Sequence, residues 1–426
     1  MTYSLPDFCT FKRLQNGMLV SLSLLLSACG GGGSGSTGSY NIGGSISNLT
    51  TAGLVLSNGS DTLAIPAKAS SFTFPTQQGS KTAYKVSIVS QPPGFTDICS
   101  LSGDSGTVAA DVTSVVVACH PAVAAVTTLA GSGSTGSVDG SSTSASFDFP
   151  VGLAVDSSGT VYVSEQNSNL IRKIAATGTV SLFAGSGALG SSDGAGNAAS
   201  FNRPNGLALD AGSNLYVADG YGLVRKISSA GAVSTLPGNS AASKTCPCAG
   251  GVAFDGSGNL YASVLSDSLI RKINTAGVNN ILVAPGLPVG ASSISIDSNG
   301  NIYAVEPSTH VVRKINPAGV PATLAGSGIA GSANGNGVAA SFNFPNGVVV
   351  DKSGTVYVAD SRNQLIRKIS AAGVVTTLAG SGSQGKVNGN GTAASFNYPT
   401  GLAIDSAGNL YVADSGNNLV RKITPQ

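Results

Sequence analysis

One strand-forming phrase returns six times between Pro150 and the C-terminus, and its clearest copy is GVVVDKSGTVYVADSRNQLIRKI, residues 347–369. Each copy carries an aspartate at its first turn, and these aspartates are Asp156, Asp210, Asp255, Asp297, Asp351 and Asp405. The intervals between them are 54, 45, 42, 54 and 54 residues. A repeat of this length predicts a propeller or a solenoid, in which each unit buries its faces against its neighbours.

Each repeat contains four strand-like segments, of the kinds GLAVD, NLYVAD, LIRKI and VTTLAG, with glycine-containing turns between them. The chain has 58 glycines and no tryptophan, and 42% of its residues are hydrophobic while 10% are charged. This composition is typical of all-β proteins and is apolar enough to fill a core. We therefore predict an all-β fold in which every repeat is a four-stranded antiparallel blade.

The two ends of the repeat region predict that the blades close into a ring. The last repeat ends at Gln426 without its own VTTLAG segment, and a matching segment occupies residues 126–131, before the first repeat. An N-terminal strand that completes the C-terminal blade removes an exposed sheet edge. The sequence therefore predicts a six-bladed β-propeller over residues 121–426.

Residues 1–28 have the pattern of a secretory signal, with two basic residues followed by an apolar stretch that is too short to span a membrane. The stretch ends in LSAC, which resembles the lipobox of bacterial lipoproteins. That resemblance implies cleavage before Cys29, lipidation of Cys29 and, because Gly30 follows, transfer to the outer membrane. The glycine- and serine-rich residues 29–39 then form a flexible tether. An ordinary signal with a chance cysteine is the alternative.

Residues 40–120 contain seven non-repeating strand-like segments, which predict a small β-sandwich. Cys99 and Cys119 lie in its last strands, and a disulfide between them would stabilise the module by about 3 kcal/mol. Cys246 and Cys248 form a second close pair, for which a disulfide or two inert thiols are favoured over a metal site, because His310 and Glu306 supply too few further ligands. The phrases SNLTTAGLVLSN and VVVAC resemble immunoglobulin-like modules of bacterial surface lipoproteins, which implies a stalk or adhesive spacer.

The charge balance argues against a nucleic-acid partner. Removal of residues 1–28 takes Lys12, Arg13 and Asp7 from 22 basic and 20 acidic residues, which leaves a net charge of +1. Twelve basic residues are six Arg-Lys pairs, at 172/173, 225/226, 271/272, 313/314, 367/368 and 421/422. A basic ring is one interpretation. Ion pairing with the acids that end the preceding strands is the favoured one, and these acids are Glu165, Asp219, Glu306, Asp360 and Asp414.

One set of residues in the fifth repeat looks like the NHL repeat, and the other five copies match it to different degrees. The set is Pro345, Asn346, Gly347, Asp351, Gly354, Tyr357, Val358, Ala359, Asp360, Asn363, Ile366 and Arg367. The linker LAGSGxxGxxxGxGxAASFNxP resembles the version of this repeat in bacterial secreted proteins and teneurins. The resemblance implies a ring-shaped platform for a protein, glycan or RNA ligand, and a few members are enzymes.

The residues for the known enzymatic variants are missing. The peptidylglycine-amidating lyase binds zinc through several histidines, whereas this chain has only His120 and His310. Gluconolactonase-like propellers bind a divalent metal at the channel entrance. The corresponding positions here are Val151, Asn205, Gly250, Ser292, Asn346 and Thr400. Because no carboxylate is among them, we predict no metal and no cofactor.

The linkers between repeats carry further recurring side chains. Asp139, Asp193, Asn334 and Asn388 each precede a glycine and stand eight residues before a phenylalanine, at 147, 201, 342 and 396. The aspartates and asparagines could bind calcium, but turn formation explains them more simply. The phenylalanines are expected to plug the linker into the blade interface rather than stack on a ligand.

The repeats lose their symmetry at copies three and four, whose linkers are short and lack the phenylalanine motif. Long linkers elsewhere should raise the rim, so we predict a one-sided groove over these copies, with simple decay of two repeats as the alternative. The residues of this candidate binding groove are Asn205, Cys246, Cys248, Ser292, Glu306, His310 and Asn346.

The sequence thus predicts a monomeric, lipid-anchored outer-membrane lipoprotein, on the periplasmic face or the cell surface. A sandwich stalk presents a propeller that binds an envelope or extracellular protein or glycan without catalysing a reaction. One alternative is a metal-dependent lactonase or lyase of the propeller type. The other is a purely structural surface spacer.

Overall fold

The computed structural model describes residues 38–237, 249–264, 269–273, 279–281 and 290–426. Cys29, Cys246 and Cys248 therefore lie outside the described residues, as do the signal and most of the tether. In the described ranges every helix is a single 3-10 turn, and none could cross a membrane. These turns are Gly196–Ala198, Gly220–Gly222, Gly337–Ala339, Ser361–Asn363, Gly391–Ala393 and Ser415–Asn417.

The N-terminal strands form two four-stranded sheets whose apolar faces share one core. The first sheet has the order Ser71–Thr73, Ile42–Ser47, Val112–Pro121 and Asp97–Ser102, and the second has the order Asp61–Ile65, Leu54–Asn58, Ala83–Ser90 and Ser105–Thr107. Ser39–Tyr40 pairs with Gln78–Gly79. The two sheets together have eight strands, whereas the sequence predicts seven. The additional strand is Ser105–Thr107, which is exposed and has no hydrophobic pattern.

Cys99 and Cys119 are bonded in this sandwich. The two residues face each other on neighbouring antiparallel strands, their Cα atoms are 4.0 Å apart, and both side chains are buried. The bond joins residues 20 positions apart and so constrains the unfolded chain. Resemblance of the module to immunoglobulin-like domains stays a prediction.

Six four-stranded antiparallel sheets follow, which confirms the predicted propeller. From the inside outward the strands are: blade 1, Pro150–Val155, Val161–Glu165, Leu170–Ile174 and Val180–Ala184; blade 2, Leu207–Leu209, Leu215–Asp219, Leu223–Ile227 and Ala232–Thr235; blade 3, Ala249–Phe254, Leu260–Val264, Leu269–Ile273 and Asn279–Ile281; blade 4, Ser293–Ile296, Ile302–Glu306, Val311–Ile315 and Pro321–Ala325; blade 5, Pro345–Val350, Val356–Asp360, Leu365–Ile369 and Val374–Ala379; blade 6, Pro399–Ile404, Leu410–Asp414, Leu419–Pro425 and Ala124–Ala130. Short linker strands Gly194–Ala195, Gly335–Asn336 and Gly389–Asn390 flank blades 2, 5 and 6.

The ring is closed by the strand that precedes the first repeat. Ala124–Ala130 pairs antiparallel with Leu419–Pro425, so the outermost strand of blade 6 comes from the N-terminal side of the propeller. The side chain of Val126 is 2% exposed and packs with Ile423 and Phe396 in the core of that blade. Closure therefore joins the two ends of the repeat region through both hydrogen bonds and buried apolar surface.

Glycines let the innermost strands approach one another around the axis. A methyl group at Gly347 would fall on the carbonyl oxygen of Thr400 in the next blade, and one at Gly401 would fall on that of Val151. Ser415 Oγ also donates to the Pro150 carbonyl of blade 1 at 2.5 Å. The inner strands thus form a continuous wall whose diameter is set by direct backbone contact.

In blades 1, 2, 5 and 6 an arginine fixes the linker to the blade. Arg367 is fully buried, and its Nη1 donates to Asp360 Oδ2 at 2.8 Å, as predicted from their fixed spacing. Equivalent ion pairs join Arg172 to Glu165, Arg225 to Asp219, Arg313 to Glu306 and Arg421 to Asp414. Burial raises the pKa of Asp219 to about 6, although N–H groups of Asn202 and Arg225 oppose the shift, so this carboxylate is ionised at neutral pH.

The second nitrogen of the same guanidinium binds the linker. Arg367 Nη2 donates to Asn334 Oδ1 at 2.8 Å, and the guanidinium lies 5.3 Å from the ring centroid of Phe342, which is fully buried. The same arrangement holds Asp139, Asp193 and Asn388 on Arg172, Arg225 and Arg421. The recurring aspartates and asparagines are therefore acceptors for blade arginines, and the phenylalanines plug the linker as expected.

The sandwich contacts the propeller at blade 5, on the face where the turn aspartates lie. The rings of Phe95 and Tyr357 are 5.9 Å apart, and Lys368 Nζ donates to the Phe95 carbonyl at 3.2 Å. Burial lowers the pKa of Lys368. The sandwich therefore occupies the face opposite the one that the long linkers surround.

Replacement of Val126 by aspartate should unfold the propeller, because an unpaired carboxylate would enter the core of the closing blade. We expect a loss of more than about 4 kcal/mol in the free energy of unfolding, measured by chemical denaturation. The matched control is Thr127→Asp, since Thr127 is the exposed next residue of the same strand. Equal stability of the two variants would contradict the role given to this strand.

Replacement of Asn334 by leucine should remove the linker acceptor of Arg367 and cost about 1.5–3 kcal/mol, the range for a hydrogen bond to a charged group. Asn334→Asp is the control, because aspartate already fills this role in blades 1 and 2. Thermal unfolding with hydrogen exchange over residues 324–345 would check both. If Asn334→Leu matched Asn334→Asp, the linker would not depend on this bond.

Candidate binding site

A cavity of about 850 Å³ occupies the propeller axis and opens on the face that the long linkers surround. Residues from the inner strands of all six blades line it. Five of the six channel-entrance positions named from the sequence are among them, and these are Val151, Asn205, Ser292, Asn346 and Thr400. Additional residues of the mouth are Phe149, Gln166, Pro307, Ser308, Phe344 and Tyr398.

Three half-buried aromatic residues form part of the rim, each directly before the proline that opens an inner strand. Phe149, Phe344 and Tyr398 have φ values of +55°, +56° and +52°. Bulky side chains rarely adopt this left-handed region, and such a residue costs about 1–3 kcal/mol unless its surroundings hold it. The aromatic rim is thus a set of strained positions at a cavity mouth.

A side chain from the preceding blade holds each of these residues in place. The backbone N–H of Phe149 donates to Asn418 Oδ1 at 3.0 Å, and that of Tyr398 donates to Gln364 Oε1 at 2.6 Å. In the third case the N–H of Phe344 donates to His310 Nδ1 at 3.1 Å. These inter-blade bonds fix the orientation of the rim.

The rim aromatics have further partners at the mouth. The rings of Phe149 and Tyr398 are 6.4 Å apart at an interplanar angle of 31°. Asn346 Nδ2 donates to Tyr398 Oη at 3.4 Å and to Ser361 Oγ at 3.1 Å, while its Oδ1 accepts no hydrogen bond from a described residue. The exposed Arg362 stacks on Phe344, with its Cζ 4.4 Å from the ring centroid. The mouth therefore offers flat apolar rings beside amide and hydroxyl groups.

The described lining carries no carboxylate, no histidine, no cysteine and no basic side chain. No cluster of three or more such metal-binding residues occurs elsewhere in the described ranges. The titratable side chain in the described lining is that of Tyr398.

Of the residues predicted for the groove, Asn205, Ser292 and Asn346 line the cavity, whereas Glu306 and His310 do not. Glu306 is fully buried in its ion pair with Arg313, and His310 is the rim clamp of Phe344. Cys246 and Cys248 lie outside the described residues, as do parts of the short linkers, so the one-sided groove stays a prediction.

The segment EPSTH, residues 306–310, has the same hydrogen bond and the same left-handed residue as the corresponding segment of blade 5, although its residue types differ. Thr309 Oγ1 donates to Glu306 Oε2 at 2.6 Å, as Asn363 Nδ2 donates to Asp360 Oδ2 in blade 5. His310 has the left-handed φ of +58° that Gln364 has there. These residue types suggested a local functional cluster, but each one fills a structural position of the repeat.

The sequence-based predictions do not include the rim aromatics, because the buried phenylalanine two residues earlier already accounts for the recurring phrase. A signal was available in the phrases FDFP, FNFP and FNYP, where a second aromatic residue precedes each proline. Blade 2 has Arg203 at this position, with a φ of +48° and the same kind of clamp from Asn169. The clamp therefore accepts a residue that is not aromatic.

Two segments, residues 342–369 and 396–423, match the family model described as NHL repeat. They correspond to most of blades 5 and 6. Over 94 residues the chain is 38% identical to "Protein SUPPRESSOR OF QUENCHING 1, chloroplastic" of Arabidopsis thaliana, and over 95 residues it is 39% identical to "NHL repeat-containing protein 2" of Homo sapiens. These matches cover 22% and 21% of this chain, and only 9% and 13% of the two relatives.

Solved structures match over most of the chain. A Bacteroides thetaiotaomicron protein of unknown function aligns with a TM-score of 0.64 at 18% identity, covering 88% of this chain and 90% of its own. An auxiliary nutrient binding protein from the same organism aligns with a TM-score of 0.59 at 16% identity, covering 89% and 95%. At these identities the likeness establishes the fold alone. The chain therefore carries NHL repeats, built into a six-bladed β-propeller.

Proposed function

We propose that this protein is a non-enzymatic binding protein of the bacterial envelope that takes an uncharged glycan at the mouth of its propeller. The observation that carries the proposal is the mouth itself, where aromatic rings held by inter-blade bonds lie beside amide and hydroxyl groups without a charged side chain in the described lining. A cavity of this size with a few polar groups among apolar ones suits a small ligand.

The chemistry of the mouth supports a sugar. The C–H face of a sugar ring packs on flat aromatic side chains such as Phe149 and Tyr398, and its hydroxyls both donate and accept hydrogen bonds. Asn346 and Gln166 bring amides that do the same. The nutrient-binding name of one structural neighbour is in keeping with such a role.

The proposal includes attachment of the protein to the outer membrane through a lipid on Cys29. The lipobox-like LSAC segment and the tether up to residue 39 would hold the sandwich and propeller at the outer membrane. Replacement of Cys29 by serine should therefore move the protein from the membrane fraction to the soluble fraction and abolish labelling by a fatty-acid analogue. Retention of label in Cys29→Ser would contradict lipidation at this residue, and Cys9→Ser is the control.

Ser308→Trp should block the mouth. Ser308 is exposed and lines the cavity, so an indole there would fill the entrance without entering a blade core. We expect the purified full chain to bind uncharged glycans on an array and Ser308→Trp to lose that binding at least tenfold.

The control is Ala407→Trp, an exposed turn position on the opposite face of blade 6, which should bind as the parent does. If no glycan is retained by the parent, or if Ser308→Trp binds as tightly, then the mouth is not a glycan site. Selective binding of anionic glycans alone would also contradict the proposal and would point instead to the exposed Arg362 beside Phe344.

A further inference from the structure

The cavity changes in polarity along the propeller axis. At the mouth it is lined by amide and hydroxyl side chains. At its deep end the inner strands of five blades finish on large apolar residues that remain partly accessible, and these are Val155, Leu209, Phe254, Ile296 and Ile404. Between the two ends of the cavity, direct contacts of the inner-strand glycines close the wall. The cavity thus has amide and hydroxyl side chains at its mouth and a largely apolar far end, where the hydroxyl of Ser295 already accepts the backbone N–H of Val350.

Partly accessible apolar residues in such a channel gain free energy when a ligand removes them from water. A ligand made only of sugar would place hydroxyls against this deep wall, where none of these five side chains can accept or donate a hydrogen bond. An anionic group would lose its hydration there without a basic side chain in the described lining to replace it. The deep end therefore selects for an uncharged, apolar group.

The rim restricts the other end of the ligand. Phe149 and Tyr398 are held at left-handed φ values by side chains of the preceding blades, so the two rings form a rigid platform. Arg203 shows that the clamped position does not require an aromatic residue for folding. The aromatic identity of the other positions is then explained by what packs on them at the mouth.

We propose that the ligand is an uncharged amphiphile, a glycoside whose sugar head lies on the aromatic rim and whose apolar tail occupies the channel. This inference rests on the proposed glycan-binding function and adds the tail and its direction. The head contributes the hydrogen bonds with Asn346 and Gln166, and the tail packs against the deep apolar ring.

The test is a series of alkyl β-glucosides with methyl, butyl and hexyl tails, titrated into the purified full chain by calorimetry below their micellar concentrations. If the tail enters the channel, affinity should rise about fourfold for each added methylene, the increment for full burial of that group. Hexyl sulfate, which keeps the tail and replaces the head by an anion, should bind at least tenfold more weakly than hexyl glucoside.

Two variants separate the ends of the site. Leu209→Gln should reduce the gain in affinity from the methyl to the hexyl glucoside, and Ile404→Gln gives the same test from blade 6. Tyr398→Ala should instead weaken all three glucosides by a similar factor. Arg203 lies outside the cavity lining, so Arg203→Ala should change neither the dependence on tail length nor the affinity for the three glucosides.

The outcomes distinguish this inference from the proposed function. If affinity does not rise with tail length while Ser308→Trp abolishes binding of uncharged glycans, the channel does not bind the tail. The proposed glycan site at the mouth would then still stand. Equal binding of hexyl sulfate would overturn the uncharged head. Absence of binding for all three glucosides would overturn the inference, and the glycan array with Ser308→Trp would then decide the proposed function separately.

Discussion

The architecture of the mouth depends on a buried arginine in each of blades 1, 2, 5 and 6. One guanidinium binds the acid at the end of its own blade's second strand and, through its other nitrogen, a linker residue 32 or 33 positions earlier in the chain. A phenylalanine of the same linker packs against it. Because a buried ion pair is strongly destabilising when one partner is lost, the linker cannot leave its blade without a large cost. The rim residue that ends the linker is positioned by this anchor.

The second constraint acts between blades. Asn418, Gln364 and His310 each accept a backbone N–H from the linker of the following blade, at a φ that a bulky residue would otherwise avoid. The strain at the rim is therefore balanced by bonds that exist only when neighbouring blades are in register. Closure by Ala124–Ala130 and formation of the mouth are consequently linked, since an open ring would release at least one clamp.

The fold could be predicted from the sequence because its determinants are periodic. The number of repeats predicts the number of blades, and the VTTLAG segment before the first repeat predicts the closure of the ring. The fixed spacing of acids and arginines predicts their ion pairs. The site was harder to predict because its contacts join residues that no local pattern connects. Asn334 was interpreted as a turn residue because its partner Arg367 lies 33 positions later, and His310 was grouped with Glu306 because the two are close in sequence. Phe344 and Tyr398 recur in the linker phrases, but the recurrence alone does not show that they reach the mouth, because that placement depends on their left-handed φ in the folded protein.

The contact between the sandwich and blade 5 makes the two faces of the propeller different. Phe95 and Lys368 hold the sandwich against the face where the turn aspartates lie, and the chain leaves it there to enter the outer strand of blade 6. The aperture opens on the other side. None of the described sandwich residues lines the cavity, so the sandwich leaves the aromatic rim uncovered and a ligand can enter the opening without displacing that module.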